Sequence, residues 1–525
     1  MTVPPIQQIR PTAASRAMRV PVLLDAVIGL LTVVALPLAI VAIPNTISVV
    51  SALLPSDVSP LAMTRAYGLA LPAMLLTVPL AAVGARLTRP APILLSGLAL
   101  LAAADAAGGF AGSTLMVAIL RVAHGVGAGM LIPATLVAVW ERPSRRILLP
   151  LWAGALAASL VGAQAMALWP LDDVTAWQVT LQPYPMLTGV ALGLGAAYLV
   201  LRLLSTDDAA SARPADGEIG RLALTAVPAA GIGALAIGTT FDWPSGLVIG
   251  AAAIAVAALL GLSLAATFDG TAGRTLALTS VCVGLALLPT VAQATYVELR
   301  GLGGPGLSGL TIPFWLAAVV AVGAAWLASR TPQESAARLN GAGLVAVVAG
   351  LSGIRLMVPS TGGTLLVIPF ALLAAGAAVA LVSALRQAGI GTTLFGLSLC
   401  FPAVLAGFLL GTGIQVTKLR AIGSSGNVTR QALVDGFVGA LHLWALIGGF
   451  LVVLVLVLMG ILARRAAIVP AMAGPAAAEA EAGPEDVVVV VPADEFEAED
   501  VPPLRDLAEF EASLDAADPG ESGGK

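Results

Sequence analysis

The stretch FLVVLVLVLMGILARR, residues 450–465, shows no charged or hydrogen-bonding side chain until its two closing arginines. A run of this length has one natural solvent. The hydrocarbon core of a bilayer is about 30 Å thick, and a helix rising 1.5 Å per residue crosses it in about 20 residues. Only a helix or a closed barrel satisfies its own backbone hydrogen bonds there. Runs of this kind recur at 22–50, 61–83, 92–111, 114–139, 147–168, 186–204, 221–240, 245–267, 275–298, 306–328, 339–357, 363–385, 389–415 and 437–462. The chain is therefore read as an all-α polytopic membrane protein with fourteen transmembrane helices. Composition agrees: 11% of its residues are charged, against about 25% in soluble domains.

Basic residues collect on the cytoplasmic side of a membrane protein. With the N-terminus inside, the loops divide the arginines and lysines 17 inside to 6 outside. That bias predicts an even number of spans and cytoplasmic termini. The spans fall into a 6+2+6 arrangement. A cytoplasmic N-terminus (1–21) leads into a six-helix bundle (22–204), then a linker, STDDAASARPADGEIG (205–220). Two additional helices follow (221–267), then a second six-helix bundle (268–465) and an acidic tail (466–525). Segments two and ten both run through a short basic loop into a glycine-rich helix, at corresponding places in the two bundles. Paired bundles of this kind build many secondary transporters. The tail is acidic and punctuated by proline, a composition that favours disorder. Within 485–517, DVVVVV and LRDLAEFEASLDAA are the stretches that could dock on a protein partner.

Other chemistry is set aside by what the chain lacks. No internal lysine follows a glycine-rich turn, so no nucleotide loop is expected, and two histidines cannot build a histidine-rich metal site. No cofactor, metal, nucleic-acid partner or enzymatic constellation is expected. Cys282 and Cys400 stand alone in apolar runs and read as small buried hydrophobes. The N-terminus shows no short apolar core with a cleavage site, so no removable signal is expected. Two lysines against 24 arginines suggest a GC-rich bacterial genome and hence a bacterial inner membrane.

The stretch LRVAHGVGAGMLIPATLVAV (120–139) resembles the fourth-helix motif of the 14-helix drug:proton antiporter branch of the major facilitator superfamily. Arg121, Gly125, Gly127, Ala128 and Pro133 match, and His124 stands where glutamine is usual. Residues 66–87 resemble the second helix of that branch, 296–320 its ninth-to-tenth helix turn, and 39–47 the end of its first helix. The resemblance covers roughly 25–465. It implies export of small amphipathic molecules by alternating access, coupled to protons. The chain departs from the pattern in three places. Residues 66–104 contain no acid, and Arg86 falls near the position where one is usual. Ala35 stands for an aspartate of the first helix, and GAQAMA (162–167) replaces the motif of helix five. Lost coupling motifs and an acidic tail also suit a second reading, a transport-inactive scaffold or accessory subunit of a membrane complex.

An ionisable group in a span costs about 2.5–3.5 kcal/mol on insertion scales, so each needs a reason. A hairpin sets residues equidistant from its turn at matching depth, which brings Asp105 and Arg121 together. They form either a structural ion pair or a cavity in which Arg121 senses a nearby acid. His124 shares a face with Arg121 and acts as proton carrier or as a neutral hydrogen-bond donor. Gln164, Gln293 and Glu298 are polar groups suited to line a cavity, and Arg300 is placed to pair with Glu298. Gly125, Gly127 and Gly129 allow close helix packing, and Pro133 a kink. Asp25 reads as interfacial and His442 as a buried packing residue.

Overall fold

The computed structural model describes residues 13–172, 174–205, 214–241, 243–265, 269–299, 302, 304–360, 362–424 and 428–472. Arg300, residues 206–213 of the linker and the docking stretch 485–517 lie outside the described residues.

The first helices are α1 (Ala13–Val41), α2 (Pro60–Tyr67), α3 (Ala70–Leu87), α4 (Pro90–Gly108), α5 (Thr114–Trp140), α6 (Arg145–Leu168) and α7 (Pro185–Leu204). There follow α8 (Glu218–Leu224), α9 (Ala226–Gly238) and α10 (Ser245–Ala265). The chain continues through α11 (Gly270–Val297), α12 (Gly306–Ser329), α13 (Ala336–Met357), α14 (Val367–Leu385), α15 (Ile390–Ser424) and α16 (Arg430–Met472). With α2–α3 and α8–α9 each counted as one span, fourteen helical stretches are long and apolar enough to cross a membrane. The first differs most from its expected 22–50. It ends at Val41, and residues 42–50 form turns. Pro44 has no N–H to continue the ladder, and the Asn45 side chain donates instead to the Thr64 carbonyl on α2 at 3.0 Å.

Helices α11 and α15 pack together, α11 buried along almost its whole length and α15 from Gly391 to Ile414. Around them, α9 lies against α3 and α15, and α10 against α15 and α11. Helix α6 packs on α12 and α14, while α3 meets α15. Small residues permit these approaches, since lipid tails give no hydrophobic drive between helices and association rests on close packing. On α5 the glycines alternate in direction. A Cβ on Gly125 would collide with the Ala70 carbonyl of α3, and one on Gly129 would lie 2.7 Å from Thr77 Cβ. A Cβ on Gly127 would lie 2.9 Å from the Gly97 carbonyl of α4. Helix α5 continues through the buried Pro133 without interruption. Buried polar groups are paired across helices: Trp444 Nε1 donates to Thr290 Oγ1 at 2.9 Å, and Asn340 Nδ2 to Thr279 Oγ1 at 3.0 Å.

One end of the bundle is tied by ion pairs. Arg86 at the end of α3 meets Glu218 at the start of α8, Nε to Oε1 2.5 Å, with both side chains buried. Glu218 lies against Gly391 on the first turn of α15. The acid missing from the loop after α3 is thus supplied from the far side of the linker, and Glu218 belongs to a helix where the sequence placed linker. Arg142 meets Asp25 at 2.6 Å and Arg202 meets Glu141 at 2.7 Å.

Candidate functional site

Arg121, His124 and Asp105 are all buried, but the expected Asp105–Arg121 pair does not form. The reason is the helix register. Positions 121, 125 and 129 make one i, i+4 stripe, and the glycines of that stripe face α3. Arg121 follows the same direction. Its Nε donates to the Tyr67 carbonyl at 3.2 Å, and one terminal nitrogen donates to the carbonyls of Ala42 (2.6 Å) and Pro44 (3.4 Å). The guanidinium lies 5.2 Å from the centre of the Tyr67 ring, and the Tyr67 hydroxyl is hydrogen-bonded to Thr180. His124 and Gly127 occupy the neighbouring stripe, which faces α4. Asp105 on α4 therefore meets the histidine, Oδ1 to Nε2 2.9 Å.

The hydrogen bonds of this pair fix a proton inventory. His124 Nδ1 lies 2.8 Å from the Leu120 carbonyl. A carbonyl only accepts, so Nδ1 carries a hydrogen. One more proton must then lie between Nε2 and Asp105 Oδ1, held on the ring or on the carboxyl. Otherwise two lone pairs would face each other. Thr188 Oγ1 donates to Asp105 Oδ2 at 2.6 Å and lies 3.2 Å from the Tyr184 carbonyl. A second proton on Oδ2 is therefore accommodated by turning the Thr188 hydroxyl to that carbonyl. The group can hold one proton or two without losing a hydrogen bond. Arg121, His124, Asp105 and Thr188 line a cavity of about 30 Å³, room for about two waters.

A second cavity, of about 570 Å³, lies between the turns after α1 and helices α2, α3, α6, α9, α11, α15 and α16. Gln164 and Gln293 line it, joined by Gln415, Asn45 and Tyr296, and its apolar wall includes Phe408 and Phe437. Among the described residues no charged one lines it. The Gln293 amide nitrogen is buried without a hydrogen-bond partner. Its place is set by α15, where a Cβ on Gly411 would collide with that nitrogen. Arg121 and His124 do not line this larger space; Pro44, whose carbonyl receives Arg121, forms part of both walls. Gln415 and Asn45 escape sequence inspection because each lies near the end of an apolar run, where polar residues are ordinary.

Glu298 belongs to neither cavity. It is fully buried at the end of α11 and accepts from Ser360 N (2.7 Å) and Ser360 Oγ (2.8 Å). Burial pushes its carboxyl above the usual range, against the pull of those two donors. It fastens α11 to the loop before α14. His442 Nε2 lies 2.8 Å from the Val358 carbonyl in the same loop, to which it donates.

The chain superposes on the proton:xylose symporter XylE bound to 6-bromo-6-deoxy-D-glucose, a major facilitator superfamily protein. The TM-score is 0.50 at 13% identity, over 85% of this chain and 96% of that one. The fold is that of the major facilitator superfamily. A partially occluded inward-open conformation of the xylose transporter XylE from E. coli is also similar, with TM-score 0.44 and 12% identity over 80% of this chain and 98% of that one. No protein-family model and no curated protein matches the chain. The basic and histidine side chains of α5 sit behind the turn that ends α1.

Proposed function

We propose that this chain is a secondary transporter rather than an enzyme, exporting small amphipathic molecules from a bacterial cytoplasm in exchange for protons. The observation that carries the reading is the buried, hydrogen-bonded His124–Asp105–Thr188 group, whose geometry leaves an acceptor free for a further proton. A protonatable group that alternates between two loads is the requirement of proton coupling. The larger cavity is the proposed substrate site: its apolar wall takes the body of the substrate, and Gln164, Gln293 and Gln415 take its polar atoms. The two sites are linked through residues 42–45. A second proton adds positive charge to the cavity that also holds Arg121, whose bonds go to carbonyls alone. Repulsion then acts on the Ala42–Pro44 turn that receives Arg121, and this turn walls the substrate cavity. In this reading the 6+2+6 order stands, with the termini in the cytoplasm.

The test is export of lipophilic dyes from cells without their main drug pumps, with and without a protonophore. Protonophore-sensitive export is expected from the wild type. Asp105→Asn and Arg121→Ala are expected to lower it at least tenfold, and removal of 473–525 to leave it nearly intact. If the point variants export normally while the tail deletion abolishes the cellular phenotype, the scaffold reading replaces the transporter.

A further inference from the structure

A third cavity, of about 560 Å³, lies at the end of the bundle that the arginine count assigns to the cytoplasm. Arg145, Arg146, Arg330 and Arg386 line it, contributed by the start of α6, the turn after α12 and the end of α14. Among the described residues no aspartate or glutamate lines it. Glu141, close by in sequence, is paired with Arg202, and Glu334 on the adjacent turn is exposed without lining the cavity. Four guanidinium groups around one space repel each other, so the arrangement has a fixed positive potential that no carboxylate among the described lining residues offsets. Its geometry is held in place. Arg386 donates to the carbonyls of Ala328 (3.0 Å) and Thr331 (2.8 Å), which pins the turn carrying Arg330. Arg145 and Arg330 lie over the rings of Trp140 (5.6 Å) and Trp326 (4.9 Å).

The depth of the cavity says which anion it suits. The spans containing its walls begin at Arg145 and end at Ser329 and Leu385, so the arginines sit where hydrocarbon gives way to headgroups. Large apolar side chains beside them, Ile147 and Leu327, are exposed and offer a surface for acyl chains. Basic pockets between helices at this level bind anionic headgroups, and arginine matches phosphate with paired donors. We infer that this cavity binds the phosphate of an anionic membrane lipid. The site is independent of the substrate cavity and of proton coupling.

Native mass spectrometry of the full chain in mild detergent tests the assignment, with phosphatidylglycerol and phosphatidylcholine offered separately. The wild type is expected to retain phosphatidylglycerol preferentially. Each arginine near an anionic group strengthens attraction about fivefold, so Arg146→Ala/Arg330→Ala is expected to lose about 25-fold. Arg146→Lys/Arg330→Lys, which keeps the charge, is expected to retain most of the preference. Arg464→Ala/Arg465→Ala, exposed at the end of the last span and outside the cavity, is expected to change nothing. No preference in the wild type, or an undiminished preference in the first double variant, overturns the site. Displacement of the lipid by an equal concentration of inorganic phosphate overturns the lipid as its occupant and leaves a soluble-anion site.

Discussion

At the residue scale, Arg121, His124, Asp105 and Glu298 each have a local answer to the cost of burial, and the answers differ. Arg121 spends its donors on carbonyls freed where α1 ends and α2 gives way to α3. His124 and Asp105 share protons. Glu298 is held by two donors from one serine, yet burial still raises its pKa above the ordinary 4.5. A carboxyl whose folded pKa is raised binds its proton more tightly in the folded state. Its contribution to stability is then fully present below the unfolded pKa and is lost as pH rises through the folded value. Compared with Glu298→Gln, which keeps the shape without the titration, the wild type is expected to lose relative thermal stability as pH rises above the ordinary carboxyl value of 4.5. Melting curves of the two proteins as pH rises check this; a constant difference would show that the carboxyl does not titrate there.

At the element scale, α5 owes its position to three glycines that point in two directions. The substitution Gly125→Ala sets a methyl against the Ala70 carbonyl, and overpacking of this kind costs about 1–3 kcal/mol. At Gly162 on α6 the nearest atom to a new Cβ is Met166 Sδ at 3.8 Å. There the gain in helix propensity, about 0.5–1 kcal/mol, goes unopposed. Denaturation in mixed detergent is expected to show Gly125→Ala destabilised and Gly162→Ala unchanged or stabilised. Export should fall in the first alone, because α5 also carries Arg121 and His124. The elements themselves were legible in the sequence, since a span imposes a length and a polarity that few other structures share. Pairings between them were not. Equal depth in a hairpin put Asp105 opposite Arg121, whereas the outcome turned on the side of α5 each residue occupies, a rotation that composition does not encode. Glu218 was hidden differently: it sits far from Arg86 in sequence, in a stretch that resembles linker until α8 begins.

At the scale of the whole molecule, the ends of the bundle are unequal. One carries buried and half-buried ion pairs, with Glu218 seated against α15. The larger cavity is lined instead by residues 43–48, 412–419 and Phe437, which belong to the opposite ends of their helices. If the arginine-rich end lies in the cytoplasm, that cavity lies toward the outside. Thiol labelling decides this, because Cys282 and Cys400 are buried and remain silent as a built-in control. Thr412→Cys introduces an exposed thiol on the cavity wall, and Gln333→Cys one in the arginine-lined cavity. In intact cells a membrane-impermeant maleimide is expected to label Thr412→Cys and spare Gln333→Cys. Inverted vesicles should show the reverse, with Gln333→Cys becoming accessible. Labelling of Thr412→Cys only from the cytoplasmic side would invert the molecule in the membrane. The proposed lipid site would then meet the outer leaflet, and the positive-inside count would have failed for this chain. Labelling from both sides in turn, shifting toward the cytoplasm when transported dye is present, is the result that alternating access requires.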